Sequence, residues 1–269
     1  MVDATFPVNI LIGGTPVRVV SSDEVFARMI AGQYAGFTAA EAGEAVEVDV
    51  TLTDASLPFD GDADEDLAVH NESGIWIMRR GDFSARYDPV RRSCTVRQNA
   101  NRYSIDSVIR IIHTLTLAPG HGFLLHAASA IRAGRALILA GPSGAGKTTM
   151  ASLAPRDVRL LSDEVSYIRK CGSGFTASGT PFTGELGRAG ENVSAPVAAL
   201  YFLHHAAENR IERLADAEAA RLLMRNILFF ACDPGLVSRV FDLACEFISA
   251  VPASRLFFVP DERIWERIR

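Results

Sequence analysis

Through the first hundred residues apolar and polar positions alternate with a period of two, the pattern of strands that bury one face. The runs VNILIGG (8–14), TPVRVVSS (15–22) and VEVDVTL (46–52) are separated by clusters of Gly, Asp and Ser that read as turns. Between them Ser22 to Ile30 carries an N-cap signal and an acidic first turn, which predicts a short helix. GIWIMRRGDFSARYDP (74–89) and SCTVRQ (93–98) read as a meander turning at Gly81-Asp82 and Asp88-Pro89, with Trp76 in its core. The acidic stretch DGDADED (60–66) has no periodicity and reads as an exposed loop.

After Asn101 the period lengthens to that of a helix. Ser104 is placed to cap IDSVIRIIHTLTLA (105–118), which ends before Pro119-Gly120. FLLHAASAI (123–131) and ALILAG (136–141) then flank the polar turn Arg132 to Arg135, as a hairpin does. A helix is predicted from Lys147 to Leu153, and RLLSDEVSYI (159–168) reads as one strand with acidic residues at its middle. Residues 171–192 read as a long Gly-rich loop holding a short strand, and VAALYFLHH (197–205) as a clear strand. Two segments of helical period, Asp216 to Ala231 and Pro234 to Ala250, precede a short strand and a last helix from near Asp261. The expected organisation is a smaller β-rich α+β domain over 1–102 and an α/β domain over 103–269.

With 48% hydrophobic and 22% charged residues the chain has ample material for a core, which excludes global disorder. A net charge of −5 presents a mildly repulsive field to a polyanion, so nucleic acid is not an expected partner. The four cysteines, Cys94, Cys171, Cys232 and Cys245, lack the close pairing of a zinc or dithiol motif and fit reduced thiols. There is no basic segment ahead of an apolar run at the N-terminus, and no apolar run of about 18 residues. A cytoplasmic protein without a membrane partner is expected, with homo-oligomerisation left open.

GPSGAGKT, comprising Gly141, Pro142, Ser143, Gly144, Ala145, Gly146, Lys147 and Thr148, satisfies the phosphate-loop pattern at every fixed position. It follows a predicted strand and precedes a predicted helix, the context that gives the motif its meaning. Glycines let successive backbone N–H groups and the helix N-terminus face phosphate oxygens, and a side chain at Gly144 or Gly146 is expected to block that approach. Lys147 supplies a charge for the outer phosphates and the Thr148 hydroxyl joins a magnesium shell, with Thr149 following. ATP and Mg²⁺ are the expected cofactors.

Asp163-Glu164 places two adjacent carboxylates after the loop. Successive strand residues point to opposite faces, so only one can face a nucleotide squarely unless the strand ends or bulges there. One carboxylate is assigned to magnesium, and that one or its neighbour to the acceptor hydroxyl, with Asp163 the first choice as base or orienter. His126, in FLLHAASAI, is brought alongside the loop by the hairpin. A lone histidine in such a strand equally well bonds a nearby carbonyl in the core.

The ensemble FLLHAASAI, LILAGPSGAGKTT and LLSDEVSYI resembles the HPr kinase/phosphorylase family, whose catalytic domain is similar to that of ATP-dependent phosphoenolpyruvate carboxykinase. The likeness is best over about residues 120 to 170, and is to the HPr-kinase-related proteins that include lasso-peptide tailoring kinases. It implies a phosphoenolpyruvate-carboxykinase-like P-loop kinase domain preceded by a smaller β-rich α+β domain. It also implies that His126 lies near the phosphates, that Asp163 and Glu164 are the acidic pair, and that ATP phosphorylates a serine hydroxyl. The pair reads Asp-Glu where Asp-Asp is commoner, and TPFTGELGRAG (180–190) stands where the family carries its E-x-R-G signature. In that segment Arg188 is the expected substrate- or phosphate-facing cation, since a guanidinium suits bidentate phosphate contacts.

The expected function is an ATP- and Mg-dependent kinase acting on a Ser/Thr hydroxyl of a peptide or small protein. The alternatives are a small-molecule phosphotransferase and a nucleotide-gated peptide-binding module without catalysis.

Overall fold

A computed structural model of the protein describes residues 4–41, 43–53, 67–184 and 186–268. The acidic stretch 60–66 lies outside the described residues. The chain is a mixed α/β structure with two sheets, and it divides into two compact units, 1–116 with 229–236, and 117–228 with 237–269. Among the described residues, no helix is long and apolar enough to cross a membrane.

The first unit is built on seven strands in the order β1 (Phe6–Ile12), β2 (Thr15–Ser21), β3 (Val46–Leu52), β7 (Ser93–Gln98), β6 (Phe83–Asp88), β5 (Ile75–Arg80) and β4 (Ala68–Glu72). Neighbours run antiparallel except at β2–β3 and β3–β7. The period of two is legible in β3, where Val46, Val48 and Val50 are buried and Glu47, Asp49 and Thr51 exposed. Trp76 is buried, as expected. Strand β4 was not foreseen, because AVHNE carries a single buried side chain.

Helix α1 (Glu24–Gln33) is capped by Asp23 rather than Ser22: the Asp23 carboxylate accepts from the Phe26 amide at 2.8 Å. Helix α2 (Arg102–Leu117) starts about one turn earlier than expected. Its cap is Asn101, whose Oδ1 accepts from the Tyr103 and Ser104 amides, both at 2.9 Å. The Ser104 hydroxyl is buried inside the first turn and donates instead to Asp82 at 2.7 Å. Asp106 accepts from Tyr34 at 2.8 Å and from Gln33 at 3.2 Å, and pairs with Arg110 at 2.7 Å. These ties bind α2 to the first unit, and the compact division falls at 116/117.

In the second unit β8 (Gly122–Arg132) and β9 (Arg135–Ala140) form the expected hairpin. Strand β9 runs parallel to β13 (Ser194–His205), and β13 parallel to β16 (Ala253–Phe258). Both faces of this trio are buried, as parallel strands require. Ala136, Ile138 and Ala140 share a core with Ala219 and Leu223 of α4 (Asp216–Met224) and Leu243 and Phe247 of α5 (Pro234–Ala250). Leu137 and Leu139 share another with Met150 of α3 (Lys147–Ser152) and Trp265 of α6 (Ile264–Arg267).

Two elements differ from expectation, and the Gly-rich stretch holds the short strand expected of it. RLLSDEVSYI is two strands, β10 (Arg159–Ser162) and β11 (Val165–Cys171), both antiparallel to β8. The Gly-rich stretch opens with β12 (Gly174–Ser178), which closes a hairpin on β11. The helix expected to reach Ala231 ends at Met224, and β15 (Ile227–Leu228) follows and pairs with β8. Asn226 causes the stop: its side chain donates back to the Leu222 carbonyl at 2.8 Å, and its own carbonyl accepts the His126 amide at 2.7 Å. A further edge strand, β14 (Arg210–Arg213), pairs with β16.

Tyr34 is fully buried and donates a hydrogen bond to the Asp106 carboxylate, so Tyr34→Phe removes a charge-assisted hydrogen bond without changing the ring. The substitution is expected to cost about 1.5–3 kcal/mol of stability, read as a lower urea midpoint at unchanged slope.

Candidate functional site

Strand β9 ends at Ala140, in register with Phe202 of β13, and the chain leaves its end as the loop 141–146 before entering α3. Gly144 and Gly146 have φ of +77° and +100°. At Gly146 a Cβ would lie 2.4 Å from Cζ of Phe258, so a side chain is excluded there by space as well as by conformation. At Gly144 a Cβ would meet no protein atom, and the backbone angle itself favours glycine. The Ala145 amide closes a turn onto the Pro142 carbonyl at 3.1 Å. Lys147 is buried, and its Nζ donates to the carbonyls of Gly141 at 2.8 Å and Pro142 at 3.1 Å.

The acidic pair sits at a break in the strand, and the cause is local. Pairing with β8 shifts register between Leu160 and Ser162, leaving Leu161 as an extra residue. Ser162 then takes the place of the ladder: its buried hydroxyl oxygen accepts from the Glu164 amide at 3.2 Å and the Val165 amide at 2.8 Å. Thr180 secures the far side by donating to the Val165 carbonyl at 2.6 Å. Because 163–164 is a corner and not strand interior, both carboxylates reach the same cavity. The sequence allowed this only as an exception, since the polar run Ser162-Asp163-Glu164 does not by itself say whether the strand ends, bulges or continues.

Asp163 is 3% exposed, and both its carboxylate oxygens accept from the Gly184 amide, at 3.1 and 3.2 Å. Burial pushes its pKa above the ordinary aspartate value, and the neighbouring Glu164 charge adds to the rise. The amides of Gly184 and Leu186 oppose it without cancelling it.

A cavity of about 170 Å³ joins these parts. Of the residues predicted from sequence, His126, Ser143, Gly144, Gly146, Lys147, Thr148, Thr149, Asp163 and Glu164 line it. Gly141, Pro142 and Ala145 do not; they shape the loop and supply the carbonyls that Lys147 holds. His126 reaches the site from β8, directly across from Val165. Arg188 is exposed and is not among the lining residues. Its segment meets the site through Gly184 instead.

Gly184 and His205 line the cavity without having been singled out. The signal for His205 was its place at the end of VAALYFLHH: ligands gather at the carboxyl ends of parallel strands, and this strand runs beside the one that feeds the loop. Gly184 acts through its backbone amide, for which side-chain chemistry gives no signal.

The family model described as SynChlorMet cassette protein ScmC matches residues 93–269. The chain belongs to this ScmC family. The matched span takes in every residue that lines the cavity. No curated protein matches the chain. Among solved structures, the chain is similar to the Hpr(Ser) kinase/phosphatase from Coxiella burnetii, at 12% identity over 50% of this chain and 84% of that chain, with a TM-score of 0.27.

A raised carboxyl pKa means that the folded state holds the Asp163 proton more tightly than the unfolded chain does. This favours the fold in acid, below the unfolded value, and is lost as pH rises through the folded value, so at neutral pH the buried carboxylate costs stability. Asp163→Asn in this ScmC-family protein is therefore expected to raise Tm at pH 7, by about 2 °C or more. Calorimetry across pH should show the advantage shrinking toward pH 4.

Proposed function

We propose that the second unit is a P-loop phosphotransferase domain of the HPr-kinase and phosphoenolpyruvate-carboxykinase type. It would use ATP and Mg²⁺ to phosphorylate a Ser/Thr hydroxyl of a peptide or small protein in the cytoplasm. The observation that carries this reading is convergence: Lys147, Thr148, His126 and both carboxylates of Asp163-Glu164 line one cavity at the end of β9.

The donor set suits the cofactors. Two carboxylates and a threonine hydroxyl are hard oxygen ligands of the kind magnesium takes, commonly alongside phosphate oxygens and water. Thr148 with one carboxylate would hold the ion, which when bound neutralises charge on the phosphates. Lys147 stands on the loop carbonyls with its amine at the cavity and would exchange them for phosphate oxygens, a stronger charge-assisted partner. Asp163 would orient and deprotonate the acceptor hydroxyl, and its raised pKa makes its carboxylate a better base than a solvated aspartate. His126 would face the phosphates from β8.

The ScmC family is described as a cassette protein, so the acceptor is sought first among peptides encoded beside this chain. Incubation of the intact protein with such a peptide, ATP and magnesium should yield a phosphopeptide by mass spectrometry. Lys147→Ala should abolish the product and weaken ATP binding by about 10- to 100-fold in calorimetric titration. ATP binding without transfer to any acceptor would replace this reading with that of a nucleotide-gated binding module. Faster turnover of free hydroxylated metabolites than of any peptide would replace it with a small-molecule kinase.

A further inference from the structure

Strand β13 outruns its parallel neighbour. Strand β9 stops at Ala140, opposite Phe202, whereas β13 continues through Leu203 and His204 to His205 beside Leu256–Phe258 of β16. The loop 141–146 therefore curls over a short shelf formed by two strand ends. The shelf's last residues, His205 and Phe258, pack ring to ring with centroids 4.9 Å apart. They also bound the space at Gly146, where an added Cβ would lie 3.1 Å from Cε1 of His205.

The polar edge of His205 points the same way. Its Nε2 lies 3.2 Å from the Gly144 carbonyl oxygen. A carbonyl oxygen only accepts, so the proton is on Nε2 and the imidazole donates. Three loop carbonyls are thus held by side chains: those of Gly141 and Pro142 by Lys147, and that of Gly144 by His205.

These ties differ in what becomes of them when an anion arrives. The lysine that holds Gly141 and Pro142 is the group drawn to phosphate, and its departure loosens the loop at the moment the loop must keep its shape. His205 has a second anchor, since its ring packs against Phe258. From this geometry we infer that His205 is a positioning residue, which keeps the loop in its anion-accepting conformation after Lys147 has left its carbonyls. The hydrogen bond also occupies a backbone oxygen whose lone pairs would repel phosphate. The inference rests on the nucleotide-binding reading above for its purpose, but the tie itself can be read without nucleotide.

The test compares His205→Phe, which keeps a ring against Phe258 and deletes the donor, with His205→Gln, which restores an N–H near the position of Nε2. Hydrogen exchange over Gly141–Thr148 in the unliganded protein should quicken about five- to tenfold in His205→Phe, the loss of one ordinary hydrogen bond. It should return to within about twofold of wild type in His205→Gln. Titration with ATP and magnesium should show the same ranking in Kd. Unchanged loop exchange in His205→Phe, or equal quickening in both variants, would overturn the inference. Altered exchange together with no ATP binding by the wild type would leave the tie standing and remove the nucleotide reading instead.

Discussion

The parallel pairing of β9 with β13 is the constraint on which the second unit depends. Parallel strands cannot be joined by a tight turn, so the chain between Ala140 and Ser194 must travel out and return, and on the way it builds all of the cavity lining except His126 and His205. Burial on both faces fixes β9 from two directions, with Ile138 and Leu139 on opposite cores. The end of the strand is therefore a rigid point. A loop that starts at a rigid point and turns over the ends of β13 and β16 has its left-handed Gly146 backed by His205 and Phe258.

Much of this was legible in the chain. The change of period after Asn101, the hairpin of β8 and β9, and β13 all follow from apolar spacing, because each buries a continuous face. What escaped was set by single polar side chains. Asn101 takes the cap of α2 because Ser104 is engaged by Asp82, and Asn226 ends α4 by donating to Leu222. Ser162 breaks what spacing reads as one strand, by taking the Glu164 and Val165 amides. Spacing reports on burial, and these choices concern which partner a hydrogen bond finds.

The site divides the same way. Motif spacing named most of the residues that line the cavity, since loop, lysine and acids are side-chain or glycine signals. Arg188 was named by the chemistry of guanidinium and stands exposed, while the backbone of its segment makes the contact through Gly184. Asp163 shows why such sites are held by amides: a nearly buried carboxylate with an anionic neighbour needs backbone donors, and even with them its pKa stays raised.

The bulge at Leu161 has a consequence for how this corner can vary in length. From Ser162 onward the pairing with β8 keeps one register, Ser162 with Ser129 and Val165 with His126, on both sides of the acidic pair. Inserting or deleting one residue between them would either displace Ser162 from its amides or slip β11 by one position. A slip would turn the buried Tyr167 and Ile168 to opposite faces. The fold at this corner is therefore far more sensitive to the number of residues between Ser162 and Val165 than to which side chains they carry.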